Sequence, residues 1–185
     1  MEDLRYQKII DHLLLEQLGN GKTITLRVSG KSMRPLIEQG DTIHVEKFDP
    51  RALSTGDIIT FKKNEVYLTH RVLWVRKKGN GIIVITKGDN EINPDPPVSP
   101  NEIVGKVVNI RTTNGTLRLQ RPCWRFTNLL LGTIFLMETI FILFYRFAAG
   151  KLNPLRKFVH SSLKPSRLYR RLRKRGLNFA TRIIM

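Results

Sequence analysis

Cysteine is almost absent: Cys123 stands alone, which excludes an internal disulfide and any cysteine-based metal cluster. The four histidines, His12, His44, His70 and His160, fall at no ligand spacing, so neither zinc nor another metal is expected, and no cofactor motif is present. The N-terminus, Met1-Glu2-Asp3-Leu4-Arg5, is charged and lacks the apolar run of a signal peptide. No internal repeat is visible, and no acidic residue follows Glu138. That last absence makes the charge lopsided. Of the net +17 carried by 185 residues, +13 lies from Arg121 onward, where 14 Lys/Arg face one Glu. Such asymmetry points to an anionic partner, lipid headgroups ahead of nucleic acid.

Three segments are expected. Residues 1–22 place Leu4, Ile9, Ile10, Leu13, Leu14 and Leu18 at helical spacing, a short amphipathic helix ending at Gly19-Asn20-Gly21. Residues 23–120 read as an all-β domain. Thr23 to Val28, Thr42 to Val45 and Val66 to Val75 alternate with period two, Ile58 to Phe61 less cleanly, and Ile103 to Ile110 and Thr116 to Leu119 complete the set. Ile82 to Ile85 is a continuous apolar run, expected to be buried on both faces. Asn80-Gly81 and Asn114-Gly115 are hairpin signals, because both positions tolerate positive φ. The Pro-rich stretch Asn93 to Pro100 is a stiff loop, since its prolines cannot donate to a ladder. The expectation is a mainly β, coiled-sheet or barrel-like domain.

Residues 121–185 combine a hydrophobic helix with a basic tail. Leu129 to Tyr145 is the most apolar window, close to the minimum for a bilayer span. Glu138 sits near its middle, where a charge is costly in lipid. A transmembrane helix, an interfacial helix and a helix packed on the domain all fit this pattern. The basic flanks favour membrane contact through residues 129–185, on the cytoplasmic face, with a single C-terminal span as one form of it.

Chemistry is carried by three stretches in chain order. Val28-Ser29-Gly30-Lys31-Ser32-Met33-Arg34-Pro35 presents a serine after a glycine that permits a tight turn. There the Ser32 backbone N–H is the natural first donor to an oxyanion. His70 lies in Val66 to Trp74, on the parity of Val66, Leu68, Val72 and Trp74, so an imidazole among apolar neighbours is expected. Arg71 faces the other way, to a solvated or structural role. Asp89, in Lys87-Gly88-Asp89-Asn90, and Asp95, between two prolines, are both placed to orient His70. A serine, a histidine and a carboxylate form the set needed for acyl transfer. Lys31, Lys62 and Lys87 are alternative bases, but none sits in an apolar window that would desolvate it.

The combination resembles the signal peptidase I superfamily of serine endopeptidases, nearest its archaeal and endoplasmic-reticulum Ser-His-Asp branch and the short anchor-less members. The resemblance rests on Ser32-Met33-Arg34-Pro35, Gly40-Asp41, His70-Arg71-Val72, Lys87-Gly88-Asp89-Asn90 and Ile103-Val104-Gly105-Lys106-Val107, over residues 24–111. It implies an all-β coiled-sheet fold, Ser32 as nucleophile and His70 as general base. Asp95 would orient the base, with Asp89 as a supporting carboxylate. The implied substrate is a leader or signal segment of a peptide or protein precursor. Two alternatives stand beside it: a self-cleaving domain like that of SOS-type repressors, and an inactive membrane-peripheral binding module.

Overall fold

The computed structural model describes residues 12–14, 16–78 and 81–151. Helix α1 occupies 12–14 and 16–19 and buries Leu18 against the sheet; the rest of the expected N-terminal helix lies outside the described residues. Seven strands follow: β1 (Ile24–Arg27), β2 (Thr42–Glu46), β3 (Ile58–Lys63), β4 (Val66–Lys78), β5 (Gly81–Lys87), β6 (Ile103–Thr112) and β7 (Gly115–Arg118). They form one antiparallel sheet in the order β1-β2-β6-β3-β4-β5, with β7 on β6. The mainly β reading therefore holds, as a coiled sheet that does not close into a barrel. Its curl follows from register shifts at His44/Val45, Thr60/Phe61 and Val72/Trp74, since each bulge bends and twists its strand.

Alternation fixes the two faces. β2 buries Ile43 and Val45, which join Ile24, Ile37, Ile58 and Ile110 in the larger core. β3 is central and buried on both sides through Ile58, Ile59, Thr60 and Phe61. A second cluster gathers Ile59, Phe61, Val72, Val84 and Val98 beneath the site. Each such aliphatic side chain contributes about 1.5–3 kcal/mol on full burial. The Asn114-Gly115 signal is realised as the β6–β7 turn, Thr112 pairing Gly115 at φ +139°. Of the Asn80-Gly81 signal, Asn80 lies outside the described residues, while the register Lys78↔Gly81 closes the β4–β5 pair around it.

Two strand expectations need correction. Ile82 to Ile85 is not buried on both faces: Val84 is fully buried but Ile83 is 45% exposed, because β5 is an edge strand covered on one side. The single face assigned to Val66, Val72 and Trp74 also breaks. Val66, at the start of β4, and Trp74 are both exposed; at Trp74 the cause is the bulge at Val72/Trp74, which changes parity.

Helix α2 (Pro122–Lys151) packs across β4 rather than standing apart. Leu131 and Phe135 cover Leu73. Backbone contact is close at one point: a Cβ on Gly132 would lie 2.7 Å from the Gly56 nitrogen, and one on Gly56 would lie 2.2 Å from the Asn128 carbonyl oxygen. Residues 152–185, which hold the basic tail, lie outside the described residues.

Candidate active site

Ser32 sits in the loop joining β1 to β2. The loop is pinched at its base by Val28 N–H donating to the Asp41 carbonyl and Gly40 N–H donating to the Val28 carbonyl, each at 2.8 Å. Inside it, Met33, Leu36 and Ile37 are buried, so the turn is anchored by its apolar side chains while Ser32 stays half-buried. A second loop clamps the serine from the other side. Asn90 N–H donates to the Ser32 carbonyl at 2.6 Å, and the Asn90 side-chain amide donates to the Lys31 carbonyl at 3.3 Å. Gly88 is required for this approach: a Cβ there would lie 2.9 Å from the Ser32 carbonyl oxygen.

His70, on β4, is 3% exposed, with the edge of Phe61 against its ring at 5.9 Å between centroids. Its Nε2 lies 3.0 Å from Ser32 Oγ and its Nδ1 lies 2.7 Å from Asp95 Oδ2. A carboxylate oxygen only accepts, so in the neutral ring Nδ1 carries the proton and Nε2 is left to accept from the serine hydroxyl. Asp95 is itself held. Its N–H donates to the Thr86 carbonyl at 2.8 Å, and Thr86 Oγ1 donates to the same Oδ2 at 2.6 Å. The flanking prolines thus stiffen a loop that is also stitched to β5. Ser32, His70 and Asp95 therefore meet in one continuous hydrogen-bonded chain.

Asp89 does not join it. Both its oxygens are taken by Arg71, Nε to Oδ1 at 2.8 Å and Nη2 to Oδ2 at 2.7 Å, with both side chains fully buried. Arg71 Nη1 also donates to the Gly56 carbonyl and to Asn128 Oδ1 of α2. The solvated alternative for Arg71 is thus overturned, because α2 and the 88–90 loop close over it. Lys87 is corrected likewise. It is fully buried, its Nζ 3.0 Å from Glu138 Oε2 and 5.1 Å from the Phe135 ring centroid. Arg71 and Lys87 are cross-strand partners, two like charges side by side, each answered by its own carboxylate. Glu138, costly in the middle of an apolar helix, is stabilised by this pairing.

Among the described residues, His70, Glu91 and Asp95 each offer one ligand atom within 4.8 Å of the others, the spacing a bound metal would need. Two of the three are already engaged in the serine chain, and Glu91 is exposed. The set fits proton transfer to and from Ser32: a nucleophile, a base within bonding reach, and a carboxylate fixing the base. Sequence reasoning missed Thr86, Asn90 and the Lys87–Glu138 pair. Thr86 was readable as the residue leading into Lys87-Gly88-Asp89-Asn90; the other contacts depend on how distant elements pack.

A family model described as Peptidase S24-like matches residues 3–108. Signal peptidase I W of Bacillus subtilis (strain 168) is 36% identical over 86 residues, 45% of this chain and 45% of that protein. The chain thus spans less than half the length of the curated relative it matches. The matched family region takes in Ser32, His70, Asp89 and Asp95, and ends before α2 begins.

Proposed function

The chain belongs to the S24-like peptidase family, within the superfamily that includes signal peptidase I, and from that premise we propose that it is a serine endopeptidase removing a leader or signal segment from a peptide or protein precursor. The observation that carries this reading is the Ser32–His70–Asp95 hydrogen-bonded chain. Ser32 Oγ attacks the scissile carbonyl carbon as its proton passes to His70 Nε2. The Ser32 backbone N–H stabilises the developing oxyanion. His70 then delivers the proton to the leaving amine, and an acyl-enzyme remains on Ser32. Water, deprotonated by the same ring, releases the acid and restores the serine. Asp95 keeps the Nδ1–H tautomer and stabilises the imidazolium, with Thr86 fixing the carboxylate. Asp89 serves the fold through Arg71, not the proton path. The substrate lies extended along a sheet edge next to the β1–β2 loop. The protein works at the cytoplasmic face of a membrane, in contact with anionic lipid through residues 129–185.

The self-cleaving alternative requires a lysine base beside the serine. His70 occupies that position, and the buried Lys87 ammonium is engaged by Glu138, which favours the histidine route. Two variants test the proposal, Ser32→Ala and His70→Ala. Each is expected to lower processing of a co-expressed precursor by about 10³-fold or more, and Ser32→Ala to abolish labelling by a fluorophosphonate. Unchanged processing in either variant refutes the reading and leaves the inactive binding module as the description.

A further inference from the structure

Helix α2 departs from a helix on a water-soluble domain, for its inner face mixes the apolar Trp124, Leu131 and Phe135 with polar residues while its outer face is apolar. A helix on a water-soluble domain turns its apolar stripe to the core and its polar side to water. Here the polar residues Asn128, Glu138 and Thr139 and the small residue Gly132 face the protein, bonded or packed to it. The opposite face exposes Phe126, Leu130, Ile134, Met137, Phe141 and Phe144, each at least half exposed. Their spacing of three and four residues keeps them on one stripe. The segment Pro122–Phe147 is long and apolar enough to cross a bilayer by composition, yet a third of its most apolar stretch is buried against the sheet.

Length decides between crossing and lying flat. Buried positions on α2 run from Trp124 to Thr139, about 24 Å of helix at 1.5 Å per residue. That stretch is fastened to a folded β domain and cannot also be surrounded by lipid. The apolar sequence beyond it, Ile140 to Tyr145, meets Arg146 after about 9 Å of helix, short of a hydrocarbon core of about 30 Å. Basic residues bracket the apolar stripe, Arg121 and Arg125 at one end and Arg146 and Lys151 at the other, with a strongly basic sequence beyond. That bracketing complements an anionic lipid surface.

We propose that α2 is an in-plane membrane anchor, its outer apolar stripe sunk into the surface of an anionic bilayer while its inner face stays docked on β4, so that the chain does not cross the membrane through this helix. The inference rests on the membrane contact proposed above and goes beyond it by fixing topology and orientation. It ties the serine site rigidly to the bilayer surface, because Asn128 holds Arg71, Arg71 holds Asp89, and the loop carrying Asp89 holds the Ser32 backbone.

The full chain, tagged at both termini, is produced in a bacterial host and each tag is probed with protease in spheroplasts before and after the membrane is opened. Both tags are expected on the same side. The purified chain is then floated with phosphatidylcholine vesicles with and without phosphatidylglycerol, beside Ile134→Glu/Phe141→Glu. Flotation is expected only with phosphatidylglycerol, and the double variant is expected to bind about tenfold more weakly or worse. Both changed residues are exposed, 51% and 69%, so thermal unfolding and cleavage of a soluble peptide are expected to stay unchanged. Tags on opposite sides overturn the in-plane anchor while leaving membrane contact standing. Flotation unaffected by the double variant overturns the assignment of the stripe. Failure to float on any vesicle, with a dimer in solution that the double variant dissociates, overturns both and makes a second copy of the chain the occupant.

Discussion

Asp89 and Asp95 leave the same loop region and serve different ends. Asp95 accepts from His70 Nδ1 and from Thr86, on the half-buried side of the site, whereas Asp89 is fully buried and grips Arg71 with both oxygens. Neutralising each therefore changes a different property. Asp95→Asn offers an amide where the ring needs an acceptor, so the tautomer that frees Nε2 is lost. The turnover rate is expected to fall about 10²- to 10⁴-fold with little change in unfolding temperature. Asp89→Asn leaves a buried guanidinium without its counter-charge. It is expected to cost about 3 kcal/mol, lowering the unfolding temperature by about 10 °C, and to spare turnover well below that temperature. Paired kinetics and thermal melts on the two variants check this. A folded Asp89→Asn chain with intact stability and a collapsed rate would reverse the assignment of the two carboxylates.

At the level of elements, the docking of α2 on β4 hinges on two glycines. Gly56 is held at φ +94°, with its N–H donating to the Val72 carbonyl and its carbonyl accepting from Arg71, so it cannot yield to a side chain on Gly132. Gly132→Val is expected to lift α2 from the sheet, uncovering Leu73 and parting Asn128 from Arg71. A loss of about 3–5 kcal/mol follows from the apolar burial forfeited. Denaturant unfolding measures it, and amide exchange at Leu73 reports it locally; protection unchanged at Leu73 would contradict the packing. This is also where sequence legibility stops. Strands β2 and β6 were readable because burial on one face of a sheet imposes period two, and the Ser32 and His70 stretches because tight turns and strand parity leave local marks. The residues alone leave the choice between Asp89 and Asp95 open, since it depends on which carboxylate Arg71 consumes, and only the family resemblance points to Asp95. Burial of Arg71 and Lys87 depends on a helix that arrives dozens of residues later. Trp74 went astray because a bulge changes parity without a residue type to announce it.

Across the whole molecule, charge is unevenly divided. Residues 1–120 hold a net +4 and carry the serine, the histidine and both aspartates, while 10 of the 32 Lys/Arg fall in 152–185 with no acidic residue among them. A lysine or arginine near an anionic bilayer contributes about 1 kcal/mol, and that contribution decays within a Debye length of about 8 Å at physiological salt. The apolar stripe of α2 gains from lipid in a way salt scarcely touches. The two contributions are therefore separable in one experiment. A chain ending at Lys151 keeps Ser32, His70, Asp95 and the described residues that hold them, and is expected to cleave a short soluble peptide at an unchanged rate. Its affinity for phosphatidylglycerol vesicles is expected to drop about tenfold or more at low salt, and to converge on that of the full chain as salt rises. Equal affinities at low salt would mean that the basic segment turns to another anion. Addition of RNA to the full chain on vesicles would then be the discriminating measurement, since a nucleic-acid ligand would release the protein from lipid in proportion to the phosphates it supplies.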